Sequence, residues 1–265
     1  AQVFVRVWSL PHACPPKSVR STHPVPFRRM AAVLDVQTLK RLWLQAVLFQ
    51  DTLVGRDKTT RLFQYLARFL SGATGREVFQ NLLAALALSR KTLRFGRQLR
   101  LARNIRDYCR NEQDSFDKVT SVLEDGSFFV YCFWDHACFA QRIRLLPLSP
   151  EGTDMLDRFT EVFWITEIVP GLLREIRAYF RNLGGGSSSV VALNGSSAKP
   201  SDARRHRAKQ LILKLCCDLV CALYFVQKAA WRNQRVPKAV CGICGAIASA
   251  LSIHMNWPRD AVLDL

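Results

Sequence analysis

Cys241-Gly-Ile-Cys244 has the spacing of a redox pair, two thiols that exchange a disulfide with a substrate. That chemistry needs a helix N-terminus after a strand, where the thiol pKa is lowered. Here the pair lies inside an apolar segment rich in small residues. Gly242, Ala246 and Ala250 recur every four residues, as do Cys241, Gly245 and Ser249. Small residues at this spacing let helices approach closely, so helix packing through Gly242, Gly245, Ala246 and Ser249 is the favoured reading. Metal chemistry is weaker. The five histidines form no ligand-spaced pair, although His136 and Cys138 are near neighbours. No phosphate loop, GxSxG or HExxH is present. These residues predict no enzyme, no catalytic group, no metal and no cofactor.

The remaining chemistry is charge. The chain has 38 basic and 21 acidic residues among 265, a formal +17. Such a balance points to a polyanionic partner, nucleic acid or an anionic membrane. By segment the charge is +5 over 1–29, +10 over 30–110, −5 over 111–183, +4 over 184–210 and +3 over 211–265. The acidic middle reads as a solvated surface. Several of the nine cysteines, Cys216, Cys217, Cys221, Cys241 and Cys244 among them, sit in apolar runs, which suits free buried thiols and a reducing compartment.

The elements that must position these groups read as helices throughout. Residues 1–29 are Pro-rich and basic and are expected to be a disordered extension, with a presequence as the rival reading. Met30 resembles a natural start. Residues 30–183 read as a helical region. Helical spacing predicts one helix from Asp35 to about Leu53, broken by Gly55, and a second from Asp57 to Leu70. A third, the longest, is expected from Arg76 to Cys109, with Thr74 as its N-cap. A dense apolar patch at 128–134 is too short to cross a bilayer. A further helix spans Asp154 to Leu183, with Pro170 as a potential kink. Residues 184–210 comprise a Gly/Ser linker and a basic cluster. Two apolar segments close the chain at 211–265. In the first, Lys214 and Asp218 can pair at i,i+4. The second, Ala239 to Trp257, is 19 residues without a charged side chain, a helix of about 28 Å, near the hydrocarbon thickness. The fold class is therefore all-α, a helical bundle of amphipathic helices with one or two C-terminal membrane-embedded helices.

The basic helix at 76–110 carries the strongest signal. Leu82, Leu83, Leu86 and Leu93 form an apolar stripe, followed by Arg90, Lys91, Arg94, Arg97, Arg100, Arg103, Arg106 and Arg110. A solvated charged face is the plain reading. Binding to RNA phosphate is another, but no RNA-binding motif accompanies the arginines. The third is an interfacial helix on anionic lipid, where each basic residue contributes about 1 kcal/mol. The nearby spanning segment favours lipid over nucleic acid. A small-solute channel would need polar groups facing a pore, for which Lys214 and Asp218 are the candidates.

Particular strings sharpen this. Gly55-Arg56-Asp57-Lys58, Arg61 and Gln64-Tyr65, within the run from Asp51 to Leu70, resemble the hallmark of the peroxisomal biogenesis factor 11 (peroxin 11) family. Leu88 to Arg97 is similar to that family's second block. Cys217-Asp218-Leu219 and the small-residue segment before Trp257-Pro258 resemble its C-terminal membrane region. The resemblance covers about 34–110 and 210–258.

The resemblance implies a peroxisomal integral membrane protein with a cytosolic N-terminus that elongates the membrane and promotes peroxisome fission and proliferation. It implies an amphipathic helix, here roughly 76–100, inserted into the cytosolic leaflet. The expected partners are anionic phospholipid, further copies of the chain, a dynamin-related fission GTPase with its membrane adaptor, and the import receptor for peroxisomal membrane proteins. Arg204, Arg205, Arg207 and Lys209 before Leu211 look like that receptor's targeting signal. On this reading the leucines wedge into the acyl boundary, and Arg90, Lys91, Arg94, Arg97 and Arg100 contact lipid phosphates.

Overall fold

The computed structural model describes residues 36–111, 114–184, 200–230 and 236–258. The predicted extension at 1–29 and nearly all of the Gly/Ser linker lie outside these residues. The chain divides into two compact units, 1–40 and 41–265. The first is described only from Val36 to Lys40, the opening of a helix.

The described residues form eight helices: α1 (Val36–Asp51), α2 (Leu53–Thr74), α3 (Glu77–Thr92), α4 (Arg97–Asn111), α5 (Ser115–Arg142), α6 (Pro150–Gly184), α7 (Pro200–Ala230) and α8 (Lys238–Asn256). The all-α class holds. Several boundaries differ from expectation, each for a local reason. Gly55 does not break a helix. The chain turns at Thr52, whose hydroxyl accepts the Gly55 N–H at 2.8 Å and caps α2. The single long helix at 76–110 is two helices. Its break at Leu93–Gly96 is a run of turns, and Gly96 has φ 77°, a left-handed conformation that disfavours other residues. Thr74 does not cap α3. Its hydroxyl bonds back to Leu70 O at 2.7 Å, and Arg76 stands at the cap without a side-chain bond. Pro170 lies inside α6, which runs on through it.

Neighbouring helices follow the order α3–α2–α8–α7–α6–α5, and α5 also meets α3, so six helices close a ring. The α4 helix packs outside it, on α5. Where α2 meets α8, a Cβ on Gly242 would strike the Phe69 backbone, and one on Gly245 would strike the Tyr65 ring. Ser249 turns its hydroxyl back to Gly245 O at 2.6 Å, satisfied within its own helix. Ala246 packs partly buried against the cluster of Tyr65, Cys221, Tyr224 and Cys241. The small-residue spacing thus serves an intramolecular contact with α2. Cys241 and Cys244 are free.

The distribution of polarity is inverted relative to a water-soluble bundle. Large apolar side chains are exposed on most helices, including Phe63 and Leu66 on α2, Phe133 on α5, Phe159 on α6, Leu213 on α7 and Ile243 on α8. Meanwhile Asp57, Arg61, Arg68, Arg90, Arg94, Asp135 and Asp218 are buried. Soluble proteins bury such charges only when paired, and contiguous exposed apolar surface marks an interaction site. Two stretches are long and apolar enough to cross a membrane, Ala203–Gln227 and Lys238–Asn256.

Candidate functional site

The ring surrounds a partly open cavity of about 1000 Å³. Its lining is built by the family-like string of α2. One turn apart on the inner face stand Asp57, Arg61, Gln64 and Arg68, all buried. Asp57 sits at the hub. It receives Arg90 at 3.1 Å, with Arg97 at 3.6 Å, Arg94 at 3.9 Å and its neighbour Lys58 at 4.0 Å. Arg90 also donates to Gln64 Oε1 at 2.6 Å. A second hub is Asp135 on α5, paired with Arg94 at 2.8 Å and with Lys91. Arg94 donates to the Tyr131 hydroxyl at 2.7 Å as well. The third is Asp218 on α7, paired with Arg61 and with Lys214 at 3.0 Å.

These pairs determine ionisation. Burial would raise the Asp57 carboxyl, but Arg90, Arg94, Lys58 and Arg97 outweigh it and hold it far below the ordinary carboxylate range. Asp135 is depressed in the same way, burial being overcome by Arg94 and Lys91. Glu161 and Glu167 on α6 behave oppositely. Each also lines the cavity and has one buried carboxyl oxygen without a partner. Burial pushes Glu161 up to about 8 and Glu167 up to about 7.

The predicted lipid-contacting stripe is therefore corrected. Arg90 and Arg94 are 7% and 8% exposed. They, Lys91 and Arg97 face the interior because their counter-charges Asp57 and Asp135 lie there, so none of the four lies on an outer face that would meet a membrane surface. Leu83 also lines the cavity. Leu82, Leu86 and Leu93 line a separate outer groove with Phe63. Of the predicted basic residues only Arg100 is exposed, and it continues into an outward row on α4 of Arg103, Arg106 and Arg110. Arg103 and Arg106 are 76% and 59% exposed at their side chains, with Asp107 at 3.7 and 3.6 Å. The opposite side of α4 buries Leu101.

Other predicted residues fall as follows. Arg56 is exposed and bonds to Gln50 O at 2.9 Å. Tyr65 is buried between α2 and α8, flanked by Arg61 and Arg68. Arg204, Arg207 and Lys209 are exposed and Arg205 half-buried, within the first turns of α7 rather than on a separate segment before it. Lys214 and Asp218 do pair, but many more polar groups than these two face the interior space. The acidic middle is not simply a solvated surface. Asp114 and Asp117 hold Arg177 and Arg181 near the exterior, whereas Asp135, Glu161 and Glu167 turn inward. The interior roles of those three were missed, although Asp135 carried a signal: a lone carboxylate in the aromatic run Phe133-Trp134-Asp135. Among the described residues no cluster of three or more His, Cys, Asp or Glu side chains could hold a metal.

The chain resembles known proteins over the same elements. It is 28% identical over 133 residues to peroxisomal membrane protein PMP27 of Saccharomyces cerevisiae, covering 49% of this chain and 56% of that protein. It is 26% identical over 140 residues to peroxisomal membrane protein PMP30A of Candida boidinii, covering 49% and 55%. PMP30B of the same yeast matches to the same extent. The matches thus span about half the length of these relatives. No solved structure matches. The family model of peroxisomal biogenesis factor 11 matches residues 44–257, from the first helix through Trp257 and including the Asp57 hub, the α4 arginines and both span-length helices, and the chain belongs to that family.

Proposed function

We propose that this chain is an integral peroxisomal membrane protein that remodels and elongates its membrane, promoting peroxisome fission and proliferation. The family and the peroxisomal membrane proteins among its relatives support the location and the process. The observation that carries the mechanism is the outward arginine row of α4, Arg100, Arg103, Arg106 and Arg110, on a chain whose outer surface is otherwise rich in apolar side chains. Span-length α7 and α8 hold the bundle in the bilayer. The α4 arginines then lie at the phosphate level of anionic lipid, about 1 kcal/mol each. The exposed groove of Leu82, Leu86 and Phe63 meets the acyl boundary beside it. Insertion from one side expands one leaflet and bends the membrane.

With both C-terminal helices spanning, α7 and α8 form a hairpin preceded by a cytosolic N-terminus, and α2 and α6, packed along them, enter the bilayer beside it. Self-association, recruitment of the dynamin-related fission GTPase through its adaptor, and capture of Arg204, Arg205, Arg207 and Lys209 by the import receptor belong to the same proposal.

The test is reconstitution of the full chain with anionic liposomes. Wild type tubulates them. Arg103→Glu with Arg106→Glu inverts two charges, a net change of four units, weakens surface attraction by about 4 kcal/mol before salt screening, and abolishes tubulation while leaving the thermal melt unchanged. Tubulation undiminished in that variant refutes the mechanism. Salt extraction of the chain from membranes together with retention on RNA refutes membrane integration.

A further inference from the structure

We propose that the interior cavity is a binding site for a phosphate-bearing polyanion. The cavity lining carries a charge imbalance. Asp57 serves Arg90, Arg94, Arg97 and Lys58. Asp135 serves Lys91 in addition to Arg94. Asp218 serves Arg61 and Lys214. Seven basic groups therefore share three carboxylates, and over the whole lining, with Arg68, Arg142, Arg158 and Lys238 added on one side and Asp154, Asp157, Glu161 and Glu167 on the other, eleven basic groups face seven carboxyls, a formal excess of four positive charges around one partly open space. Charges removed from water are stable only when compensated.

A second observation points to the same place. Arg68 lines the cavity at 8% exposure, and its Nε is buried without a hydrogen-bond partner. Among the described residues no carboxylate lies within ion-pairing distance of it. Its guanidinium is held 4.4 Å over the Phe225 ring and 5.4 Å from that of Tyr224, an arrangement that fixes the plane of the fork while leaving its donors unspent. Glu161 and Glu167 do not restore the balance. Burial favours their protonated forms, and a protonated carboxyl donates a hydrogen bond to an anion rather than repelling it.

The ligand class follows from the donors. Planar guanidinium forks match the paired oxygens of phosphate. An excess of four charges calls for several phosphates rather than one monovalent ion. A space of about 1000 Å³ is at the upper end of small-molecule pockets. Clustered phosphates occur on soluble polyphosphates and on polyphosphoinositide headgroups, and both present the same chemistry to this site.

The experiment uses the purified full chain, in neutral-lipid nanodiscs for a first arm and in detergent for a second. The first arm titrates inorganic tripolyphosphate by calorimetry. The second measures binding of labelled chain in detergent to nanodiscs with and without a polyphosphoinositide. Saturable binding in either arm is expected, and the arm that binds identifies the source. Arg68→Gln weakens it by about tenfold, the loss of one charge-assisted contact. Arg68→Lys, which keeps the charge and loses the fork, falls between. Arg76→Gln, at an exposed position outside the cavity lining, leaves it unchanged. Absence of binding in both arms, or equal losses from Arg68→Gln and Arg76→Gln, overturns the proposal. Neither arm reads membrane bending, and polyphosphoinositide binding that Arg68→Gln leaves intact overturns the cavity site while leaving the α4 remodelling mechanism standing.

Discussion

Asp57 is the residue on which the interior depends. Four cationic side chains within 4.0 Å share its carboxylate, and it is 3% exposed. Asp57→Asn is nearly isosteric yet leaves buried guanidinium groups uncompensated, which costs about 3–5 kcal/mol. A fall of that size in unfolding free energy, measured by denaturant titration in detergent, is expected; an unchanged midpoint would mean that the hub is not a stabilising pair. The cavity glutamates give a pH signature of definite sign. A carboxyl whose folded pKa is raised favours its protonated form in the fold. Its contribution is complete below the ordinary Glu value of 4.5 and is lost as pH rises through about 7 for Glu167 and about 8 for Glu161. His136, depressed by burial, works in the opposite direction and gains stability towards 6.5. The difference between wild type and Glu161→Gln isolates the first effect. Stability of the variant declines less between pH 5 and pH 8, and parallel curves would contradict the assignment.

At the scale of elements, the interface that sets the ring is α2 against α8, and it is made by absence of side chains. Gly245→Leu places a branched side chain into the Tyr65 ring, overpacking that costs about 1–3 kcal/mol or more. Ile247→Leu on the exposed side of the same helix changes stability by less than about 0.5 kcal/mol. Melting temperatures of the two variants in detergent make the comparison, and equal values would place the contact elsewhere. The same elements show what could be read from the amino-acid string. Small residues every four positions in 241–250 announced a close helix contact, and the i,i+4 pair Lys214–Asp218 formed as spaced. The partner of the small residues was not legible, since α2 lies more than 160 residues away along the chain. Nor was the break at Leu93–Gly96. Its surroundings are helix-forming, and a single glycine inside a periodic pattern is compatible with either a helix or a turn.

For the whole molecule the sharpest lesson concerns direction. Arginines every three or four residues define a face, but periodicity does not say whether that face is outside or inside. In water the charged face turns out. Where the outer surface is apolar it turns in, towards carboxylates 33 and 41 residues away in sequence for Arg90–Asp57 and Arg94–Asp135. That is why the stripe at 90–97 became a cavity lining, while its continuation on α4, lacking inward carboxylates, stayed exposed. Fold class, family and the two span-length segments were all legible because they rest on local hydropathy and short strings. The cavity and its charge excess arise from long-range pairing that no single segment records.

On the proposed function, the exposed α4 arginines couple this bundle to peroxisomal membrane elongation. Imaging of peroxisomes in cells expressing the tagged full chain at raised level tests it most directly. Wild type is predicted to elongate and multiply peroxisomes, and Arg103→Glu with Arg106→Glu to reach the same membrane and leave peroxisome length and number at the control level. Elongation by the variant equal to that by wild type, or a wild-type signal away from peroxisomes, would contradict the claim.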